Sequence, residues 1–245
     1  MVVISFINSI ILLPDKIISN DLFCTHKSDM KIAVAGEEKR RSEFRNIISD
    51  LHELTEINEF TVQTEFTSYD LIVDLNADDR TEMIEAIFTS GKFVLLCAVK
   101  KSVAQLTRNK IITSSVAGLN ALPTFLKRPF QEISFADKDD ISHWKNLFEL
   151  LNWKPKIVKD QAGMVTPRIL FMIFNEAFFT LEEGTASKED IDAGMKMGTA
   201  YPMGPFEWCE QIGLKNIYET LQSIQSFANN DRYKICPLLK NSYSE

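Results

Sequence analysis

The chain is poor in the residues that usually settle a protein's class quickly. Of 245 residues, nine are glycine, four are cysteine and three are histidine. Cys24, Cys97, Cys209 and Cys236 are scattered without a CxxC pair, and no His/Cys spacing suits a metal ion. A zinc ribbon and a disulfide scaffold are thereby excluded. Reduced thiols in a cytoplasmic protein are expected, with no metal site. His26, His52 and His143 cluster with nothing, so each is assigned a structural or surface place. Basic charge is scarce too. Lys and Arg number 27 against 34 Asp and Glu, a net charge of −7, so no excess exists to displace counterions from nucleic-acid phosphates. The one dense basic run, Lys39-Arg40-Arg41, is expected on a solvated helix face.

Long apolar runs are also missing. "VVISFINSIILLP", from Val2 to Pro14, is too short to span a bilayer, and it lacks the basic flank and small-residue cleavage site of a signal peptide. Because Met30 directly precedes the first good strand, residues 1–29 are expected to be an extension outside the core fold, explained by a misassigned start. A membrane-anchoring peptide is the alternative; otherwise no membrane partner is expected.

What is present is an alternation of buried strands and amphipathic helices in a chain that is 45% hydrophobic. Lys31–Ala35, "YDLIVDLNA", "KFVLLCAV", "NKIITSSV" and "KPKIVKD" read as strands, with "FQEISFA" as an edge-like one and "FTVQTEF" as a short one. Phe44, Ile47, Ile48 and Leu51 predict a helix over 42–54. "DRTEMIEAIFTSG" and "DISHWKNLFELLNW" predict two more. This is an α/β pattern with a largely parallel sheet. From Gly163 the strands stop. "GMVTPRILFMIFNEAFFTLEEG" is a long apolar helix closed by Gly184, and "SKEDIDAGMKMG" is a helix with Ser187 as its N-cap and Asp190 three residues on. "GPFEWCEQIG" and "LKNIYETLQSIQSFAN" complete a helical second part. The first helix is apolar nearly all round, as in a core or a subunit interface.

Gly36 follows the first strand where a dinucleotide-binding G-x-G-x-x-G turn would begin, but Glu38 and Arg41 stand where its other glycines belong. Glu37 and Glu38 would bring negative charge towards a pyrophosphate, a like-charge contact costing about 1–4 kcal/mol at about 4 Å. The residue twenty positions on that should hold the ribose has no clear counterpart, since little chain separates Gly36 from "YDLIVDL".

The stretch "GMVTPRILFMIFNEAFFTLEEGTASKEDIDAGMKMGTAYPMGPFEWCEQIGL" resembles the C-terminal domain of the NAD-dependent 3-hydroxyacyl-CoA dehydrogenases, 3-hydroxybutyryl-CoA dehydrogenase among them. Asn175-Glu176-Ala177, Glu182-Glu183-Gly184, Asp190-Ile191-Asp192 and Tyr201 to Glu207 match that family's pattern in register. The resemblance is good over 154–239, moderate over 70–153 and weak over 30–36. It implies a truncated Rossmann-like, mostly parallel sheet domain (30–161) followed by an all-α 3-hydroxyacyl-CoA dehydrogenase C-terminal-type domain (162–245) that dimerises. It also implies an acyl-CoA substrate held between them, in the reactions of fatty-acid metabolism. The family oxidises the 3-hydroxyl with NAD. A histidine takes the proton, a glutamate orients it, and a serine and an asparagine hold the substrate oxygens.

Placed on this chain, those roles are thinly filled. Gly118 and Glu132 match the family's glycine and glutamate, with Asn120 at the histidine position, twelve residues before Glu132. Asparagine carries no proton at neutral pH. The substrate asparagine falls on Pro167, and of the serine turn only Ser102 keeps a hydroxyl. Lys100 and Lys101 read as a solvated pair, or as attraction for a carboxylate or CoA phosphate. The candidate site residues are therefore Glu132, Asn120 and Ser102, with Gly36 as the remnant of a cofactor loop. The expectation is a homodimeric pseudoenzyme without a working NAD site that binds an acyl-CoA or a protein. The alternatives are a dehydrogenase rebuilt around Glu132 or His143, and an interaction protein with no ligand.

Overall fold

The computed structural model describes residues 29–80, 82–137, 141–228 and 231–244. The N-terminal stretch with its proposed extension, Cys24 and His26 lies outside them. Seven strands form one sheet in the order β2-β1-β3-β4-β5-β6-β7. They are β1 Lys31–Ala35, β2 Glu53–Ile57, β3 Leu71–Asp74, β4 Phe93–Cys97, β5 Ser115–Leu119, β6 Glu132–Ser134 and β7 Lys156–Val158. The first five are parallel. β6 pairs antiparallel to β5, and β7 runs parallel to β6. β1, β3 and β4 are buried on both faces, which is why they read as continuous apolar runs rather than alternating ones.

The order reverses at β1, with β2 on one side and β3 on the other, so the C-terminal ends of β1 and β3 flank a topological switch point. The expected truncated, mostly parallel α/β layer is what forms. Its local elements differ in places. The helix expected over 42–54 is α1, Glu38–Arg45, which starts earlier and ends sooner, and "ELTEI" after it is the edge strand β2. "FTVQTEF" is a turn in which Thr61 and Thr64 bond each other, not a strand. The helix expected after β3 shrinks to a 3-10 turn, Ala77–Asp79, and a short α2, Glu85–Thr89. A short α3, Val103–Leu106, follows β4, and α4, Ile141–Leu150, packs Trp144 against Phe93, Phe135 and Phe148.

From Thr166 every element is helical: α5 Thr166–Glu182, α6 Lys188–Thr199, α7 Pro205–Ile212, α8 Leu214–Ala228, a 3-10 turn Asp231–Tyr233, and α9 Pro237–Ser244. Both predicted helix boundaries form. Gly184 sits at φ +70° after α5, and the Ser187 hydroxyl accepts the Asp190 amide at 3.1 Å to start α6. Phe171, Phe174, Ala177 and Phe178 face the helical core, whereas Val165 and Ile169 on the other side of α5 are 45% and 58% exposed. Among the described residues, no helix is long and apolar enough to cross a membrane.

Candidate functional site

The candidate residues gather at two places, the end of β5 and the switch point.

At the end of β5, the antiparallel register pairs Leu119 with Ile133, so the next residues out, Asn120 and Glu132, face each other across the strands. The Asn120 amide donates to the Glu132 carbonyl at 3.1 Å, and Asn120 Nδ2 donates to Glu132 Oε2 at 3.1 Å. The other carboxylate oxygen accepts the Thr166 amide at 2.9 Å and the Thr166 hydroxyl at 2.6 Å. Glu132 is thus buried and tied to the first turn of α5, not solvated, and Asn120 is held by it. Asn120 Oδ1 is buried with no hydrogen-bond partner. Three orienting bonds converge on a carboxylate whose neighbour cannot exchange a proton.

The other predicted parts lie around this pair or away from it. Ser102 is the N-cap of α3. Its hydroxyl accepts the Gln105 amide at 3.2 Å while the Gln105 side chain takes the Ser102 amide, so its oxygen is committed to a capping box. Pro167 is buried in the first turn of α5, where a missing amide is tolerated. His143 rides on α4. Its neighbour Trp144 bonds Ser115 and meets Phe93 edge to face, the first residues of β5 and β4, so α4 carries His143 towards the end of the strands opposite Asn120.

The switch point holds a cleft of about 570 Å³ lined by Gly36, Glu37, Glu38, Arg41, Asn58, Glu59, Asn76, Asp79 and Arg80. Gly36 has φ +147°, and a Cβ there would meet Asn76 Oδ1 at 2.7 Å and Leu75 Cβ at 2.8 Å. The Asn76 side chain is this close because its oxygen accepts the Glu37 amide at 2.8 Å. An amide that a phosphate loop would turn towards its ligand is satisfied from within the chain. Arg41 pairs with Glu38 and bonds Asn58 at 2.9 Å, and Arg80 is shared between Asp74 and Glu59.

The basic run is not a solvated face, contrary to the expectation from sequence. Arg40 is only 1% exposed. Its guanidinium crosses the ends of β3 and β4, donating to the Leu75 carbonyl at 2.6 Å and lying 3.8 Å from Cys97 Sγ. Lys100 is also buried, ion-paired to Asp79 and Glu219, and Lys101 donates to the Arg80 carbonyl, so neither forms the solvated pair expected.

Residues 163–245 match the model of the 3-hydroxyacyl-CoA dehydrogenase C-terminal domain. That stretch, the helical part from α5 onwards, belongs to the family of 3-hydroxyacyl-CoA dehydrogenase C-terminal domains. The chain is 40% identical over 83 residues to 3-hydroxyadipyl-CoA dehydrogenase of Escherichia coli, a stretch covering 34% of this chain and 18% of that protein. It is 31% identical over 156 residues to the mitochondrial hydroxyacyl-coenzyme A dehydrogenase of Sus scrofa, covering 60% of this chain and 50% of that one. The chain thus spans at most half the length of either relative. The crystal structure of (S)-3-hydroxybutyryl-CoA dehydrogenase from Ralstonia eutropha superposes with a TM-score of 0.64 over 89% of this chain and 94% of that one, at 18% identity, which speaks for the fold.

For a 3-hydroxyacyl-CoA dehydrogenase relative, several features were not visible from sequence. Nothing in the sequence marks Thr166, although its hydroxyl fixes Glu132. Asn76 gave no motif. Arg40 stood in the sequence as one of three basic residues, with nothing to mark it as the buried one.

Proposed function

We propose that this member of the 3-hydroxyacyl-CoA dehydrogenase family does not carry out the family's NAD-dependent oxidation and acts as a binder of an acyl-CoA or a protein. The observation that carries this reading is the Asn120–Glu132 pair. The carboxylate is buried and oriented as a base's partner would be, and the residue it orients cannot take a proton. The switch-point cleft argues the same way. The residues there do not fit a dinucleotide's phosphates, because Asn76 occupies the Glu37 amide and the carboxylates of Glu37, Glu38, Glu59 and Asp79 line the cleft. Its two arginines are already paired. The remaining oxygen-holding positions are spent on a cap, at Ser102, and on a proline, Pro167.

The partner in this reading is first a second copy of the chain, met through α5 and α6. Val165 and Ile169 expose an apolar edge of α5. A groove of about 410 Å³ beside it is walled by Ile173, Ala177, Ile191 and Met195. An apolar face of this kind is seldom left bare on a monomer. A cytoplasmic location belongs to the same reading, supported by the free, buried thiols of Cys97, Cys209 and Cys236.

The test is a titration of the purified protein with NADH and, separately, with acetoacetyl-CoA. No saturable NADH fluorescence change up to millimolar concentration is expected, while acetoacetyl-CoA gives a binding isotherm if the ligand is an acyl-CoA. Micromolar NADH affinity would sink the proposal.

A further inference from the structure

The contacts around Arg40 extend beyond the sheet. Arg40 Nη2 lies 3.2 Å from Asp79 Oδ2 and donates to Asn216 Oδ1, on α8, at 3.0 Å. Lys100 bridges Asp79 to Glu219, also on α8, the latter at 2.6 Å. Asp78 sits beneath them and accepts the Val99 and Lys100 amides at 2.9 and 2.8 Å, which fixes the turn that presents Lys100. One helix of the C-terminal part is therefore wired to the C-terminal ends of β3 and β4. The contact continues on both flanks. Lys39 donates to the Gln211 carbonyl at the end of α7, a favourable place for a cation. On the other side Ile224 of α8 lies against Gly163, where an added Cβ would come within 2.4 Å of its Cδ1.

We propose that this network is an internal latch: the chain's own ions clamp α8 over the switch-point edge of the sheet and hold the two parts in one closed arrangement that needs no bound small molecule. The two buried cations, Arg40 and Lys100, are both engaged within the chain, by Asp79 and by Asn216 and Glu219 of α8. Burial raises the weight of each contact, because removing a partner of a buried cation leaves that charge less well paired where water has little access. The inference does not depend on whether the chain binds NADH. It concerns what holds α8 in place.

The double variant Asn216→Ala/Glu219→Ala removes the polar contacts of α8 with Arg40 and Lys100, and leaves the Arg40–Asp79–Lys100 set intact. Hydrogen–deuterium exchange on the full chain should show amides of 205–228 exchanging at least about tenfold faster, with β3 and β4 changed less than about twofold. The control Glu53→Gln breaks only the exposed Lys31–Glu53 pair and should change neither region. If 205–228 stays within about twofold of the parent, or if the strands loosen equally, the latch is refuted. A second readout guards against a double variant that fails to fold. In the parent, acetic anhydride should modify the Lys100 amine far more slowly than Lys101, and the single change Glu219→Gln should raise the Lys100 rate several-fold. Equal rates at both lysines in the parent would equally overturn the proposal.

Discussion

Replacing Asn120 by histidine puts an imidazole back beside Glu132. The exchange Asn120→His enlarges a side chain that is buried, so overpacking should cost about 1–3 kcal/mol of stability. Part of that is offset at acid pH. A carboxylate about 3 Å away favours the charged ring and raises its pKa, while burial works in the opposite direction. A raised folded-state pKa gives stability that is full below the unfolded value of about 6.5 and is lost as pH rises through the folded value. The variant's melting temperature should therefore fall from pH 5 to pH 8 more than the parent's does. Activity is the sharper measure. A positioned general base contributes roughly 10²–10⁴-fold. Enzymes exceed the uncatalysed rate by about 10⁶-fold or more. At least a factor of about 100 must then come from cofactor and substrate contacts, and at those places stand Asn76 on the Glu37 amide and Pro167. The expected result is no NADH formed from 3-hydroxybutyryl-CoA, followed at 340 nm, although imidazole NMR shows a titrating ring. Steady turnover by this single variant would refute the reasoning, because it would require an intact cofactor site.

Ile169→Asp, on the exposed edge of α5, should weaken self-association. Losing about 1.5–3 kcal/mol from each of two copies raises the dimer dissociation constant by about 10²–10⁴, read by sedimentation against the 28.0 kDa chain mass. A parent that sediments as a clean monomer at micromolar concentration ends the dimer proposal. Phe174→Asp acts differently, since Phe174 is 1% exposed and packs on Phe171. It should unfold the helical part rather than only split a dimer, and loss of α-helical circular dichroism distinguishes the two. Burial first, then the nearby Asp192 and Glu210 carboxylates, push the Cys209 thiol up to about 12, so at pH 8 only about one thiol in 10⁴ is ionised. Mass-mapped alkylation of the native protein should leave Cys209 unmodified, and rapid labelling there would contradict its placement. Gly36→Ala should lower the melting temperature, because φ +147° and the 2.7 Å approach of Asn76 leave no room for a methyl group, and an unchanged melting point would contradict that geometry.

The buried strands and the long helices were legible because each is decided locally. β1, β3 and β4 are unbroken apolar runs, and α6 announces itself through Ser187 and Asp190. β2 was not legible. Its Glu53 and Glu56 are the charges of an edge strand, and the helical spacing of Phe44, Ile47, Ile48 and Leu51 outweighed them, although the chain turns after Arg45 and pairs with β1 instead. Within the site, the Asn120–Glu132 spacing could be read from sequence through the family resemblance. The fate of Arg40 could not, because its partners lie far along the chain at Leu75, Asp79 and Asn216. Nothing in a short charged helix says which of three cations turns inward.

The closeness of positions 120 and 132 belongs to the backbone rather than to the two side chains. It follows from the antiparallel register of β5 and β6 and from an amide–carbonyl bond that any residue except proline at 120 would make. Selection can therefore rewrite both positions repeatedly without separating them, and the loop between them can change length at small cost provided the register holds. Whatever pair stands here keeps the same address. For an engineer, this makes the end of β5 a mount where new pairs of side chains can be screened as neighbours without redesigning the fold around them.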